Sequence, residues 1–420
     1  MQQNATTILP QQVVLGLGAN WRQFALLVAV NCFVGSMVGL ERSVFPLLAE
    51  AEFGVRSATA ATSFIATFGV AKAFANLAAG RLASRFSKRR LLLAGWAFGL
   101  PVPWLLVLAD SWGWVVAANL LLGLNQGLTW SMTVNMKVDL VGPRRRGLAL
   151  GLNEAAGYMS VAAAAYLSGE VAAAHGLRPG PLYLGIAFSA AGLALSTLVK
   201  DTTAHVRLEA APLGAGGTSL LAAFADATWR RRQLWGASQA GLTNNLNDAV
   251  LWGIFPILCA RRGFSLEEIG LLAAAYPLVW GALQPATGAL ADVAGRKPLV
   301  VAGMAVQAIA IWLAAGSTSF GGLLVLVSTV GIGTALVYPT LLAAVSDAAH
   351  PEDRASLLGV YRFWRDAGAI AGALLGGAIA DAADLGDAMR FVALVTFAAG
   401  VVAAFTLSPA KDRAYAGGGS

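Results

Sequence analysis

Gly80-Arg81-Leu82-Ala83-Ser84-Arg85-Phe86-Ser87-Lys88-Arg89 returns 208 residues later as Gly288-Ala289-Leu290-Ala291-Asp292-Val293-Ala294-Gly295-Arg296-Lys297. The same offset aligns Asp139 with Asp347 and Gly151 with Gly359. Phe45-Pro46-Leu47-Leu48 answers Phe255-Pro256-Ile257-Leu258 at an offset two residues longer. Matches that hold one spacing over such a distance mark a duplicated half. Both copies of the basic segment sit between apolar runs of about 20 residues, the length that crosses a bilayer as a helix. Two related helical halves suit a membrane protein that rocks one half against the other around a central site.

Composition agrees. Of 420 residues 57% are hydrophobic and only 12% charged, about half the charge density of a soluble domain. The mean hydropathy is +0.66. So few charges cannot coat a water-soluble fold of this size, and lipid must take the surplus apolar surface. The 48 glycines fit close helix approach in a membrane. The net charge of +7 does not point to nucleic acid, because the basic residues fall in short runs between apolar stretches. Cys32 and Cys259 lie far apart in apolar stretches and are expected to be core residues without a disulfide. His175, His205 and His350 lie in loops, so no metal site is expected. Met1–Asn20 lacks the basic start and unbroken apolar run of a cleavable signal peptide.

Apolar runs of membrane-spanning length lie near 22–48, 57–80, 90–109, 112–136, 147–174, 181–199, 233–260, 266–290, 298–316, 321–344, 355–382 and 387–408. The predicted fold is an all-α polytopic membrane protein: twelve transmembrane helices in two pseudo-symmetric six-helix bundles. The expected division is an N-terminal segment 1–21, a first bundle 22–199, a linker 200–232, a second bundle 233–408 and a tail 409–420. With both termini cytoplasmic, the inside loops hold Arg81, Arg85, Lys88–Arg90, Arg144–Arg146, Arg230–Arg232, Arg296 and Lys297. The outside loops hold only scattered arginines, as the positive-inside rule requires for the inner or plasma membrane.

The two basic segments resemble the G-x-L-A-D-R-x-G-R-K loop of the major facilitator superfamily, which links the second and third helices and again the eighth and ninth. Asp139 followed by Arg145, Arg146 and Gly147 is similar to that family's segment entering the fifth helix. The resemblance covers essentially the whole chain and implies a monomeric secondary transporter with no cofactor. It implies a gating role for Arg85, Arg89, Asp139, Arg146, Asp292 and Arg296 at the cytoplasmic face. The second copy keeps the acid, the glycine and the basic pair, whereas the first has Ser84 for the acid and Ser87 for the glycine. Gly39-Leu40-Glu41-Arg42 resembles the acid–arginine pair of the organic-anion symporter branch. The fifth helix reads Gly157-Tyr158 where proton-coupled drug antiporters carry Gly-Pro. Together these imply an anionic solute.

A charged side chain at mid-membrane costs about 2.5–3.5 kcal/mol and needs a partner, water or a function. Glu41 and Arg42, late in the first span, suit a proton and an anion; the alternative is snorkelling at the interface. Lys72, mid-span, is expected to face a cavity and draw an anion, against a structural ion pair. Asn76, a turn on, matches Gln284 by the repeat and shares its face. Asn244, Asn245, Asn247 and Asp248 crowd the seventh span; Asn244 and Asp248 are expected on one face, with Asp248 a proton carrier. Interhelical hydrogen bonding is the plainer alternative. Arg362, Arg365 and Asp366 are expected to gate. Arg362 corresponds to Glu154, which suggests a bridge between halves, with Glu154 a further proton carrier. Asn125 and Gln126 offer hydrogen bonds, Trp130 an aromatic wall, and Tyr276 and Trp280 aromatic contact with solute. Gly368, Gly372 and Gly376 are read as packing.

There is no G-x-x-x-x-G-K-[ST] loop for ATP, no H-E-x-x-H, and no catalytic set. The sequence thus predicts a proton-coupled carrier of a small organic anion by alternating access, not an enzyme, with solute, protons and bilayer as its partners. A proton-coupled drug or metabolite exporter is the alternative of the same fold, and a transporter-like sensor or scaffold that of another class.

Overall fold

A computed structural model describes residues 13–83, 86–141, 146–210, 220–348 and 354–408, and among these the chain is helical without strands. Each expected span is a helix: α1 Leu17–Ala51, α2 Ala58–Ala61 and Ser63–Ala83, α3 Lys88–Gly99 and Pro101–Val107, α4 Trp112–Val141, α5 Arg146–His175 and α6 Gly180–Leu198. The second half gives α7 Arg232–Arg261, α8 Leu266–Ala294, α9 Arg296–Gly316, α10 Phe320–Ala348, α11 Arg354–Ala382 and α12 Leu385–Thr406. Between the halves lie short helices, Thr203–Ala210 and Leu220–Ala225, and a π turn, Asp226–Arg230. Seven of the twelve (α1, α3, α6, α8, α9, α10 and α12) are long and apolar enough on their own to cross a membrane. The other five carry Lys72, Lys137, Glu154, Asp248 and Arg365. Their hydropathy is lowered by side chains that lie inside the protein, away from lipid.

Breaks follow local chemistry. α3 bends at Leu100 because Pro101 and Pro103 cannot donate to the preceding turn. α2 breaks at Thr62, whose Oγ1 donates to Ala58 O and, across the bundle interface, to Ala373 O at 2.9 Å each. The two family-like loops end differently. In the second, Gly295 takes φ +87°, open to glycine at no steric cost. In the first, Ser87 takes φ −64° and its Oγ accepts from Arg90 N–H, so the serine caps α3.

Within each half, small residues let one pair of helices touch backbone to backbone. Gly35, Gly39 and Ser43 of α1 lie against Gly157, Val161 and Ala165 of α5. Gly368, Gly372 and Gly376 of α11 lie against Leu242, Leu246 and Val250 of α7. Without water to drive association, such close approach is what holds membrane helices together.

Between the halves, antiparallel α5 and α8 meet at one end and part at the other. A Cβ on Gly169 would stand 2.7 Å from Gly270 Cα, and one on Gly281 3.2 Å from Met159 N. Two turns beyond, on the same faces, Gly151 and Gly288 have no described atom within 4 Å of a Cβ, and Val293 is 88% exposed. α2 and α11 behave alike: Gly377 abuts Thr59, while Gly359 meets nothing described. The bundles are therefore sealed at the ends of α1, α5, α7 and α11 and splayed at the end from which α1 sets out and at which α12 finishes.

Candidate functional site

Between the bundles, at mid-height, lies a small cavity that shares wall residues with an outer chamber nearer the splayed end. The inner chamber is lined by apolar side chains and the rings of Phe68, Trp130, Tyr158 and Trp252; Asn76, Ser131, Tyr338 and Arg362 line the outer one. Lys72, Arg365 and Asp366 line both.

Arg42 is 3% exposed, and its guanidinium lies 4.6 Å from the Trp252 ring centroid and 5.5 Å from that of Phe68. Its Nε and one terminal nitrogen, Nη1, find no hydrogen-bond partner. The Lys72 ammonium stands 5.4 Å from Phe68 and 5.7 Å from Trp130, with no hydrogen bond or ion pair among the described residues. Rings stabilise such cations by their quadrupole without neutralising them.

Arg365 is spoken for. It approaches Asp366 at 3.4 Å and Asp248 at 3.7 Å, donates to Tyr158 Oη across the interface at 3.2 Å, and lies over Tyr338. Asp248 also accepts from Tyr276 Oη, and Asp366 accepts from Asn76 of the other bundle at 2.6 Å. Tyr158 stacks on Trp280 with centroids 3.6 Å apart. A carboxylate–arginine–tyrosine cluster thus ties the two halves at the cavity floor, beside two cations that form no ion pair among the described residues.

A Major Facilitator Superfamily model matches residues 24–245 and 237–419. The chain belongs to that superfamily. A solved peptide-transporter-family structure, described as a POT family transporter in complex with a thioalcohol-conjugated peptide, covers 91% of the chain and 95% of its own at 13% identity and a TM-score of 0.73. A crystal structure of a point mutant of the nucleoside transporter NupG covers 91% and 98% at 14% identity and a TM-score of 0.72. At such identities these share the fold alone. The MFS-type transporter ppzB of Metarhizium majus (strain ARSEF 297) is 28% identical over 148 residues, 35% of this chain. The match spans about a third (32%) of that relative. This facilitator is accordingly a multi-pass transporter of the inner or plasma membrane.

Several expected residues stand elsewhere in the facilitator. Glu41, beside Arg42, points the other way, into the first bundle, where Asn119 approaches it at 3.4 Å. Asn125 donates to Gly95 O at 2.9 Å, turned from the cavity towards α3. Asn244 and Asn247 bind Gln307 of α9, and Asn247 also accepts from Thr396 of α12, so that network is structural. Asn245 lines the cavity with Asp248 instead. At 100° per residue, Asn244 falls between the two faces, so spacing from Asp248 could not place it. Gln126 lines the cavity, its Nε2 on Val34 O. Tyr276 and Trp280 form a layer behind Tyr158, and Gln284 is buried a turn beyond.

The anticipated Glu154–Arg362 bridge is not formed. Glu154 accepts from Trp130 Nε1 and Asn153 Nδ2, each at 3.1 Å, while Arg362 faces the outer chamber. Nor does Arg362 pair with Asp366, whose oxygens go to Asn76 and Arg365. Lys137, which the sequence reading passed over by ending the fourth span at 136, is fully buried and donates to Asn153.

At the splayed rim, Asp139 binds Lys88 Nζ and Thr202 Oγ1, each at 2.5 Å, and Arg89 binds Thr197 O and, through its N–H, Asp201. These contacts join elements of one half rather than latching two. Arg296 stands at the start of α9. Arg85 lies outside the described residues, as do the side chains of Arg146 and Asp292.

Proposed function

We propose that the facilitator carries a small organic anion by alternating access, coupled to protons. The observation that supports this best is the pair Arg42 and Lys72. Both line a central cavity and neither forms an ion pair among the described residues, while the neighbouring carboxylates Asp248 and Asp366 are in contact with Arg365. Buried charge without a partner is costly, and an anion entering the cavity relieves that cost. The same excess of positive charge disfavours cationic drugs as cargo.

Asp248 is the proton carrier of choice among the three acids expected from the sequence. It lines the cavity beside Arg365, whereas Glu41 is turned into the first bundle and Glu154 is held behind Trp130. A proton on Asp248 weakens its hold on Arg365, and with it the Arg365–Tyr158 contact between the halves. With the termini cytoplasmic, as the loop charges favour, the cavity opens inward and the Asp381 end faces outside.

The test is uptake of labelled carboxylates into proteoliposomes under an imposed pH gradient. Accumulation that collapses with a protonophore supports the reading. Asp248→Asn is expected to keep exchange but lose accumulation. Uptake that survives Arg42→Ala and Lys72→Ala overturns the assignment.

A further inference from the structure

The two free cations sit at different depths. Counted at about 1.5 Å per helical residue from the turn that joins α1 to α2, the Arg42 Cα lies about 14 Å and the Lys72 Cα about 21 Å along their helices, an offset of about 7 Å between the two attachment points. The Phe68 ring is shared by both, its centroid 5.5 Å from the Arg42 guanidinium and 5.4 Å from the Lys72 ammonium. A single small anion cannot sit fully on both. The charge count points the same way: among the residues that line the two chambers, Arg42, Lys72, Arg362 and Arg365 outnumber Asp248 and Asp366 by two, with Glu41 and Glu154 set behind the walls. Arg365 is consumed by the two carboxylates, and Arg362 lies in the outer chamber.

We infer that the carried solute is a dianion whose two anionic groups are held apart by a short linker. One group lies against the unpartnered nitrogens of Arg42, the other against Lys72, and the linker crosses the Phe68 ring. Linear dicarboxylates with about two to four carbons between the carboxyl groups hold those groups about 4–6 Å apart, which matches an axial offset of about 7 Å when each carboxylate meets its cation from the side. The inference rests on the organic-anion reading above and narrows it. A phosphate monoester carries the same charge on one group and should therefore fit less well.

The experiment is thermal melting of the purified full chain with succinate, glutarate and adipate, set against butyrate, hexanoate, glycerol phosphate and uncharged diols at matched concentration, because a bound ligand raises apparent stability by mass action. The dicarboxylates should raise the melting temperature clearly and the monocarboxylates little. Arg42→Gln and Lys72→Gln should each weaken dicarboxylate binding by about tenfold or more, towards the monocarboxylate level. Unliganded melting of each variant reports whether it folds. If monocarboxylates bind as well as dicarboxylates, if only glycerol phosphate binds, or if no dicarboxylate binds, the inference fails. In the first two cases the organic-anion reading stands. If only the uncharged diols bind, both fail.

Discussion

Asp381 bridges the two bundles at the sealed end. From the last turn of α11 its carboxylate accepts from Ser57 Oγ at 2.6 Å, Ala58 N–H at 2.5 Å and Thr59 N–H at 3.0 Å, all at the start of α2 in the other bundle. It satisfies donors that a helix N-terminus leaves open and faces the positive end of the peptide dipoles. Hydrogen bonds to a charged group are worth about 1.5–3 kcal/mol each when buried, but Asp381 is exposed and water replaces much of that. A total of about 1–3 kcal/mol remains, which shifts a two-state equilibrium about 5- to 150-fold. Opening this end separates α2 from α11 and breaks all three bonds, whereas the splayed state keeps them. Asp381→Ala should therefore move population towards the state open at the Asp381 end. The assay is electron-spin distance measurement between labels at Ala174 and Arg261, in a chain with Cys32 and Cys259 replaced. The variant should gain a longer-distance population, and Ser57→Ala, which removes one donor, should gain less. An unchanged distance distribution in Asp381→Ala refutes the latch.

Arg365→Ala leaves Asp248 and Asp366 buried without their cation, so melting in detergent should report a loss of about 3–5 kcal/mol; adding Asp366→Asn should restore part of it, and an unaltered melting curve would contradict the cluster. Gly372→Ala sets a Cβ 2.5 Å from Leu246 O and 2.8 Å from Ala249 Cβ and should cost about 1–3 kcal/mol, whereas Gly359→Ala, where no described atom is within 4 Å, should be neutral or slightly stabilising in the same melts. Burial works to raise the Asp201 carboxyl, but hydrogen bonds from Thr203, the Arg89 N–H and Ser87 outweigh it and hold the group below its ordinary value. A depressed folded value means that its stabilisation is present above the ordinary carboxylate range and is lost as pH falls through the lowered one. The melting-temperature gap between wild type and Asp201→Asn should accordingly close on acidification, and a gap constant with pH would show that Asp201 contributes no charge-dependent stability.

The sequence was a good guide to everything governed by the repeat and by lipid, and a poor one to where buried polar groups point. Spans, halves and glycine seams were legible because each is enforced along a whole helix: roughly 20 apolar residues, one offset, one small residue per turn. Direction inside the protein depends on which neighbour is packed behind a given 100° of helix. Glu41 and Arg42 are adjacent and diverge into different compartments. Asn244 and Asn245 do the same. Pseudo-symmetry also misled. The Glu154–Arg362 pair follows from the repeat, yet one half buries Glu154 against Asn153 and Trp130, while the other leaves Arg362 at the outer chamber. A duplicated fold constrains backbones to be alike; a solute is a single asymmetric object, and the side chains that meet it have to break that likeness. Lys72, whose repeat partner is Trp280, is where the break is sharpest. The lysine meets the cavity directly with its ammonium on aromatic rings, whereas the tryptophan lies behind Tyr158 of the lysine's own half. In a duplicated transporter, then, positions where the two copies disagree in charge at mid-membrane are better pointers to the solute than positions where they agree.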